Sequence, residues 1–595
     1  MYGTRKRSHG LNVTPTEDLK DKLNYKEAKE LYDHLSALQR CFLVQHAEEF
    51  QPSKESLNQK LIKSIISFLF TMTIQFLGSP VGLLTRPHHA AILIAYFTLV
   101  YGFLICSRFV FFIAERTGLK NYLEDSIKQL VETEKVFINK DFLEKEITTT
   151  NICNWMDLRI LTGKEGLIEN SREVLTGKLP DFNPLFDETK GPLLSSSKLI
   201  FDVDVACSVL LMCASVYERD SFLIEAALRI DSTKKPQDLI FAKEDITERQ
   251  VRLLSSEKTI HKFAQSWGLK FICIPDFRGL DGPFIGVFYK INVQPDENPF
   301  AVITIKGTSL DNFSEWLIDC AYKFESASDF LNTGSAHYGF YNTLFPSKSN
   351  ELRVLPYRRI VEAVKLIAEE AQRAPRGQNK KLNLFVTGHS LGAGIAQLLY
   401  ARLLETPSDM GNKILLRDAY VFGTPRACDF KLASRVDYNL NKSVNQGRQL
   451  WRISNRASLI GDIVTEVPPG VANKREIRSG LQEGSPFSYA AIGTSVDLFP
   501  NGQKNIFNIS TWFGHASSQK KQYKIGDTPV GFKPEIANKL IFKYRIDPRP
   551  SFWGSLRPFS IIGITMSLIA FWAPFVHDHL PACYLESLTK MENEL

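Results

Sequence analysis

Residues 383–396 read NLFVTGHSLGAGIA, and this stretch decides the fold. A mostly apolar run at 382–386 leads into GHSLG at 388–392, and a run rich in alanine and glycine follows. The pattern predicts a strand, a sharp turn and a helix, with Ser390 at the tip of the turn. Gly388 and Gly392 provide small residues where the strand and the helix crowd together and where the backbone must be strained. We therefore expect Ser390 to be a nucleophile held on an elbow.

Composition sets broad limits on the class of protein. The chain has 595 residues, of which 44% are hydrophobic and 23% charged, so most of it can build a packed core. A net charge of +7 spread over this length gives no reason to expect nucleic-acid binding. The nine cysteines are scattered without a CxxC pair, which favours free thiols over a disulfide framework or a zinc site. We expect no metal and no cofactor.

Strand-like and helix-like runs alternate between residues 198 and 545. Short β-rich runs bounded by Asp, Gly, Pro and Asn predict strands at 271–274, 283–289, 300–305, 382–386, 414–422 and 450–453. Longer runs with apolar residues at helical spacing predict helices at 200–215, 245–267, 355–374 and 393–404. This alternation predicts an α/β fold with a mostly parallel central sheet.

Three other stretches are apolar enough to meet lipid, at 64–84, 90–113 and 558–576. A transmembrane helix needs about 20 mostly apolar residues. The first two are separated by five residues, 85–89, which predicts a membrane hairpin, either spanning the bilayer or dipping into one leaflet. Basic residues flank the outer ends of these runs, so the catalytic region is expected to face the cytoplasm on an intracellular membrane.

These patterns together predict five parts of the chain. Their limits are a polar cytoplasmic leader at 1–60, a membrane hairpin at 61–116, a connector at 117–197, the α/β domain at 198–545, and a C-terminal membrane span with a short tail at 546–595. We thus expect an integral membrane protein with the α/β domain between its anchors.

A serine nucleophile needs a general base and an orienting carboxylate, which follow it in the order acid, then histidine. Three histidines follow Ser390. His577 and His579 border the C-terminal apolar run, which places them outside the predicted sheet domain. His515 is therefore the predicted base.

The acid and the oxyanion donors follow from the predicted strands. Asp462 comes after the strand at 450–453, at the sheet edge where open α/β sheets hold their sites, and Asp418 is the runner-up. The tetrahedral intermediate needs two N–H donors. Leu391, directly after the nucleophile, supplies one, and Thr308, in the loop after the strand at 300–305, supplies the other.

Six segments resemble the successive motifs of the class 3 lipases, the fungal triacylglycerol lipase group, in order and approximate spacing. They are 301–319 (AVITIKGTSLDNFSEWLID), 337–341 (HYGFY), 387–392 (TGHSLG), 421–426 (VFGTPR), 462–469 (DIVTEVPP) and His515. The resemblance covers roughly 198–545 and implies an α/β-hydrolase fold. It also implies Ser390, Asp462 and His515 as the triad, Thr308 and Leu391 as the oxyanion hole, and a lid near 311–324 with Trp316 on its apolar side.

The resemblance implies a membrane-anchored serine lipase that hydrolyses tri- or diacylglycerols through an acyl-enzyme. Its expected partners are a lipid ester substrate and the membrane. A phospholipase or a feruloyl-type esterase on the same scaffold is the alternative within enzymes. A catalytically silent scaffold at the membrane is the alternative from another class.

Overall fold

The computed structural model describes most of the predicted α/β region and parts of the flanking chain. The described residues are 26–49, 169–177, 201–220, 247–274, 283–309, 323–346, 355–443, 448–456, 461–468, 489–498 and 578–592, with scattered positions within 58–117, 223–227 and 315–319.

A seven-stranded sheet forms the centre of the molecule, in the order β1-β2-β3-β6-β7-β9-β11. The pairs from β3 through β6, β7 and β9 to β11 are parallel, and only β1–β2 and β2–β3 are antiparallel. The predicted mostly parallel α/β sheet is therefore confirmed, with an antiparallel edge. Its strands are β1 (Lys270–Cys273), β2 (Ile285–Lys290), β3 (Phe300–Ile305), β6 (Leu382–His389), β7 (Ile414–Phe422), β9 (Leu450–Asn455) and β11 (Thr494–Leu498).

Helices cover both faces of this sheet. Because side chains alternate along a strand, Leu384 and Val386 of β6 enter one core, whereas Phe385 enters the other. The main helices are α1 (Ala37–Glu49), α2 (Glu169–Thr176), α3 (Val203–Ser215), α4 (Glu248–Ser266), α5 (Ser328–Leu331), α6 (Tyr338–Leu344), α7 (Pro356–Arg373), α8 (Leu391–Glu405), α9 (Phe430–Ser443) and α10 (Pro581–Glu592). The result is a three-layer α/β/α arrangement.

A second, four-stranded sheet has the order β10-β8-β5-β4. Its strands, of two or three residues each, are β4 (Phe324–Ser326), β5 (Ser335–His337), β8 (Cys428–Asp429) and β10 (Tyr489–Ala490). All of its pairings are antiparallel. Strands this short carry little periodic signal in the sequence, and they were not predicted.

The C-terminal helix α10 packs against the central sheet. Tyr584, Leu585 and Leu588 are buried in the same core as helix α3 and as Phe422 of β7. The expectation that the chain around His579 lies outside the sheet domain is therefore wrong. The sequence prediction places this helix in the tail after the apolar run at 558–576, which lies outside the described residues.

Described parts of the predicted leader and connector also contact the sheet domain. Gln39 of α1 donates its side-chain amide to the carbonyl of Phe271 at 2.8 Å. Leu175 of α2 is fully buried, and its carbonyl accepts a hydrogen bond from the side chain of Asn383 at 2.9 Å. Both segments thus pack against the sheet domain, although the predicted boundary at 198 excludes them from it.

The predicted membrane segments are described only in part. The runs at 64–84 and 90–113 are described at scattered positions, and 558–576 lies outside the described residues. Within the portion that the structure describes, no helix combines the length and apolar character needed to cross a bilayer.

Candidate active site

Ser390 occupies a strained turn between β6 and α8. Its backbone has φ 57° and ψ −128°, a conformation that residues other than glycine rarely adopt. Its side chain makes no hydrogen bond that caps the N-terminus of α8, so the hydroxyl has no capping role there. Its N–H donates to the carbonyl of Phe422 at 3.0 Å, which joins the turn to the end of β7. The predicted elbow is present.

The two elbow glycines are required by close backbone contacts. A Cβ on Gly388 would lie 2.5 Å from the carbonyl oxygen of Gly392, and a Cβ on Gly392 would lie 2.2 Å from that of Ile305. Leu391 is the first residue of α8, so its N–H has no partner within the helix. That N–H lies directly after Ser390, where an oxyanion donor is needed.

Asp462 lies in the loop after β9 and is completely buried. One carboxylate oxygen, Oδ1, accepts the N–H of Val464 at 2.9 Å. The other, Oδ2, accepts the hydroxyl of Tyr584 at 2.5 Å and lies 2.8 Å from Nδ1 of His579. Burial is the largest single influence on the pKa of Asp462 and raises it, because it favours the neutral acid. The opposing interactions with His579 and Tyr584 together hold this pKa below its usual value. Asp462 is therefore held as a carboxylate.

His579 contacts both Asp462 and His389, the residue before Ser390. Gly423, with φ +56°, makes room for it, because a Cβ there would lie 2.7 Å from Nδ1 of His579 and 2.9 Å from Oδ2 of Asp462. The ring centroids of His579 and His389, the neighbour of Ser390, are 4.6 Å apart. Because Nδ1 faces the carboxylate, Nε2 is the nitrogen available for proton transfer.

This pairing differs from the one expected from the sequence. The sequence predicts that His579 lies outside the sheet domain, and the packing of α10 on the sheet shows that this prediction is wrong. His515, the predicted base, lies outside the described residues, so its assignment stays a prediction. A signal was available: Tyr584, Leu585 and Leu588 have helical spacing and follow His579 closely, which is typical of a helix docked on a core.

Asp418, the runner-up acid, has other partners. It accepts hydrogen bonds from Trp451 Nε1 at 3.0 Å and from the N–H of Gln449 at 2.9 Å. These bonds join β7 to β9 within the sheet, so Asp418 has a structural role in the part of the chain that is described.

The loop after β3 approaches the elbow directly. A Cβ on Gly307 would lie 2.0 Å from Oη of Tyr217, 2.6 Å from the carbonyl oxygen of His389 and 2.9 Å from Cβ of Ser390. Thr308 follows, and its hydroxyl donates to Oδ2 of Asp319 at 2.5 Å. The Thr308 hydroxyl is thus fixed by Asp319, and the Gly307–Thr308 peptide lies beside Ser390. Trp316, the predicted lid residue, lies outside the described residues.

The described residues contain no cluster of three or more His, Cys, Asp or Glu side chains arranged to hold a metal ion. The groups gathered at the elbow are instead a serine hydroxyl, an imidazole–carboxylate pair and main-chain N–H groups. These are the groups that acyl transfer through a serine requires.

The fold and the elbow define the class as an α/β-hydrolase with a lipase-like, mostly parallel sheet. Residues 302–472 match the family model described as Lipase (class 3), so this region is similar to the class 3 lipases. Over this region the resemblance inferred from the motifs is confirmed, and the match supports a carboxylic ester hydrolase.

Solved fungal lipases share limited similarity with the chain. A Rhizomucor miehei lipase propeptide complex is 18% identical over 40% of this chain and 58% of that chain, with a TM-score of 0.27. A lipase from Rhizopus microsporus var. chinensis is 18% identical over 44% of this chain and 74% of that chain, also with a TM-score of 0.27. The first match thus spans less than two thirds of the Rhizomucor chain. A comparison with curated proteins finds no match.

Proposed function

We propose that this chain hydrolyses carboxylic ester bonds of lipids, with tri- or diacylglycerols as the leading substrates, through an acyl-enzyme on Ser390. One observation carries the proposal: the strained Ser390 turn approaches Gly307, and His389 beside it contacts His579, which pairs with Asp462. The class 3 lipase match over residues 302–472 supports the same chemistry.

In the proposed mechanism, the Ser390 hydroxyl oxygen attacks the ester carbonyl carbon, and its proton passes to Nε2 of His579. Asp462 keeps the imidazole oriented and stabilises the imidazolium that forms. The oxyanion accepts hydrogen bonds from the N–H groups of Leu391 and Thr308. The intermediate collapses, and the alcohol leaves with the proton from His579. A water molecule then attacks the acyl-enzyme carbonyl carbon and gives a proton to His579. The second intermediate collapses, the fatty acid leaves, and the Ser390 oxygen takes the proton back from His579.

Here His579 replaces His515 as the proposed base. The observation that favours His579 is the 2.8 Å distance between its Nδ1 and Oδ2 of Asp462, a carboxyl group whose pKa is lowered. His579 also retains some solvent access, with 16% of its side chain exposed, which suits a group that must meet substrate and water.

Labelling with a fluorophosphonate probe tests the nucleophile. The wild-type protein should be labelled, and Ser390→Ala should not be labelled while its circular dichroism is unchanged. Ser408→Ala, in the short turn after α8, is a matched control and should be labelled normally. A folded wild-type protein that resists the probe would support the alternative of a catalytically silent scaffold.

The head group and acyl chain require a separate experiment. Wild-type protein would be assayed on triolein, diolein, phosphatidylcholine and methyl ferulate presented in the same detergent. We expect diolein or triolein to be hydrolysed fastest. Preferential hydrolysis of phosphatidylcholine or methyl ferulate would assign the phospholipase or feruloyl-type alternative instead.

We also propose that the segments at 58–69 and 98–117 associate with a lipid surface. Ile62, Ile66 and Leu69 are more than half exposed, at 55, 60 and 57%, and they recur at helical spacing. Ile105 and Phe109, at 51 and 62%, repeat the pattern on the second segment. Exposed apolar stripes of this kind are typical of surfaces that meet a membrane or another apolar partner.

One observation shows that the two segments contact each other, and another favours a lipid surface as their partner. Arg108 Nε donates to Asn58 Oδ1 at 2.8 Å, so the two segments contact each other there. Lys63 and Arg116 are exposed near the same stripes, and cations there suit anionic head groups. The cytoplasmic-facing position on an intracellular membrane remains part of this proposal.

Flotation with phosphatidylcholine/phosphatidylserine vesicles tests the proposed membrane association. The wild-type protein should float with the vesicles, and Ile66→Glu/Phe109→Glu should float markedly less. Glu362→Gln/Glu369→Gln, on α7, where Glu362 is exposed and Glu369 is half-buried, serves as the control and should behave as wild type. Equal flotation of all three proteins would contradict these stripes as the lipid contact.

A further inference from the structure

Lys306 and Glu315 form a buried ion pair next to the elbow. Nζ of Lys306 lies 2.8 Å from Oε1 and 3.0 Å from Oε2 of Glu315, and the two side chains are only 8% and 3% exposed. Desolvating two charges costs free energy that their attraction rarely exceeds, so a buried pair is weak evidence for a stabilising role. Its position relative to the site gives another reason for it.

Lys306 also holds one particular peptide group. Nζ donates to the carbonyl oxygen of Gly307 at 3.1 Å. That carbonyl and the N–H of Thr308 belong to the same planar peptide unit and point in opposite directions. By anchoring the oxygen, Lys306 therefore fixes the direction of the Thr308 N–H, the proposed oxyanion donor.

Glu315 holds the next peptide group. Its Oε2 accepts the N–H of Ser309 at 2.6 Å. The peptide units on both sides of Thr308 are thus bonded to the same ion pair, while the Thr308 hydroxyl is held by Asp319. With both neighbouring peptides fixed, the Thr308 N–H cannot rotate away without breaking charge-assisted hydrogen bonds.

The charge itself adds to the orientation. An ammonium bonded to a carbonyl oxygen draws electron density through the peptide and strengthens its N–H as a donor, an effect that low local dielectric increases. A donor that is already oriented and polarised stabilises a developing oxyanion without reorganisation during the reaction. The aromatic ring of Tyr217, with its centroid 5.5 Å from Nζ, completes the enclosure of the cation.

We propose that Lys306 and Glu315 are positioning residues that preset and polarise the Gly307–Thr308 peptide as an oxyanion donor. The proposal rests on the function assigned above to Ser390. Its consequence is specific: loss of the pair weakens binding of the tetrahedral transition state and leaves ground-state ester binding nearly unchanged.

The variant Lys306→Met/Glu315→Met removes both charges together, so that neither is left buried alone. We expect kcat on p-nitrophenyl butyrate to fall about 100-fold, the size of one lost oxyanion donor, with KM changed by less than about threefold. Inhibition by an alkylboronic acid, whose tetrahedral adduct on Ser390 carries a negative charge, should weaken by a similar factor. Thermal unfolding checks that the variant is folded.

Two single variants keep the test open if the double variant does not fold. Lys306→Arg retains a cation for the Gly307 carbonyl and should keep most of kcat. Glu315→Leu removes the acceptor that holds the Ser309 N–H, so kcat should fall while KM stays the same. The control is Lys270→Met/Glu370→Met, which removes a partly buried pair with a 3.0 Å contact on the edge strand β1 and should leave kcat unchanged.

The outcomes separate the two proposals. A wild-type protein without esterase activity or probe labelling would overturn the function of Ser390, and the positioning role with it. The positioning role alone would be overturned by an active wild type whose folded Lys306→Met/Glu315→Met variant keeps kcat within about twofold or changes only KM. If that variant does not fold, the same result for the folded Glu315→Leu variant would overturn it.

Discussion

Nε2 of His389 lies 2.7 Å from the main-chain carbonyl oxygen of His579, across 190 residues of chain. The carbonyl can only accept, so Nε2 carries the hydrogen, and Nδ1 accepts from the hydroxyl of Tyr217 at 2.8 Å. Burial lowers the pKa of His389 to about 3, in agreement with this neutral form. The residue before the nucleophile thus holds the backbone of the proposed base.

The first prediction concerns this contact between His389 and His579. His389→Leu should lower kcat by roughly 10- to 100-fold with little change in KM, because the base is misplaced relative to Ser390. Tyr217→Phe removes only the outer bond and should lower kcat less. Steady-state kinetics on p-nitrophenyl butyrate measures both effects, and unchanged kcat in a folded His389→Leu protein would contradict the prediction.

A second prediction separates the two candidate bases. His579→Ala should lower kcat by about 10⁴-fold or more, because the proton from Ser390 then has no acceptor. His515→Ala should retain activity near that of the wild type. The kinetics of the two variants, measured side by side with thermal unfolding, decide the assignment. The reverse result would restore the base expected from the sequence.

Tyr584→Phe should affect stability more than rate. The hydroxyl donates to a buried carboxylate, and hydrogen bonds to charged groups contribute about 1.5–3 kcal/mol to the free energy of unfolding. His579 keeps its hydrogen bond to Asp462 in this variant. Because only one of the bonds to the carboxylate is lost, kcat should fall no more than about tenfold. Tyr400→Phe is the matched control, since this buried tyrosine donates to the neutral carbonyl of Arg417 at 2.7 Å. Urea denaturation should show the larger loss for Tyr584→Phe.

The buried His337 predicts a pH-dependent stability. Burial lowers its pKa to about 3, whereas an unfolded histidine titrates near 6.5. The unfolded chain therefore binds a proton that the folded protein does not. This contribution to stability is complete above the unfolded pKa and is lost as the pH falls towards the folded one.

The corresponding variant is His337→Gln, which cannot titrate. The difference in free energy of unfolding between wild type and variant should shrink by roughly 2 kcal/mol between about pH 7 and about pH 5. Urea denaturation at the two pH values measures it. A difference that is constant with pH would show that His337 binds its proton in the folded state as well.

Gly307→Ala should abolish activity. The new Cβ would meet Oη of Tyr217 at 2.0 Å and the carbonyl of His389 at 2.6 Å, so the loop must move away from Ser390. Gly102→Ala is the control, because nothing lies within 4 Å of its Cβ position. Probe labelling and kcat are the readouts. Normal labelling of Gly307→Ala would mean that the loop does not need this close approach.

Local pattern was sufficient to predict the elbow and to single out Asp462 as the candidate acid. An apolar strand, small residues and a helical run all point to Ser390 over a short window, and Asp462 follows directly from the predicted strand before it. Both signals are contained within about one secondary-structure unit, where periodicity is informative. The central strands were predictable for the same reason, because they are apolar and bounded by turn residues.

His579 was not predictable in the same way. Its assignment depends on the docking of α10 on the sheet, a long-range contact that leaves only a short amphipathic pattern in the sequence. The apolar run before it, which predicts a membrane span, gives no indication that the following helix packs on the sheet. The short strands of the second sheet were missed for a related reason, since their pairing is set by tertiary contacts.

The position of His579 in the chain has a consequence for biosynthesis. A ribosome delivers the elbow, the loop after β3 and Asp462 more than a hundred residues before it delivers His579, which lies 117 residues beyond Asp462. Domains begin to fold while synthesis continues. A nascent chain can therefore assemble its nucleophile next to cellular lipids while it still lacks the proposed proton acceptor. Docking of α10 therefore completes the proposed site only after translation has passed His579.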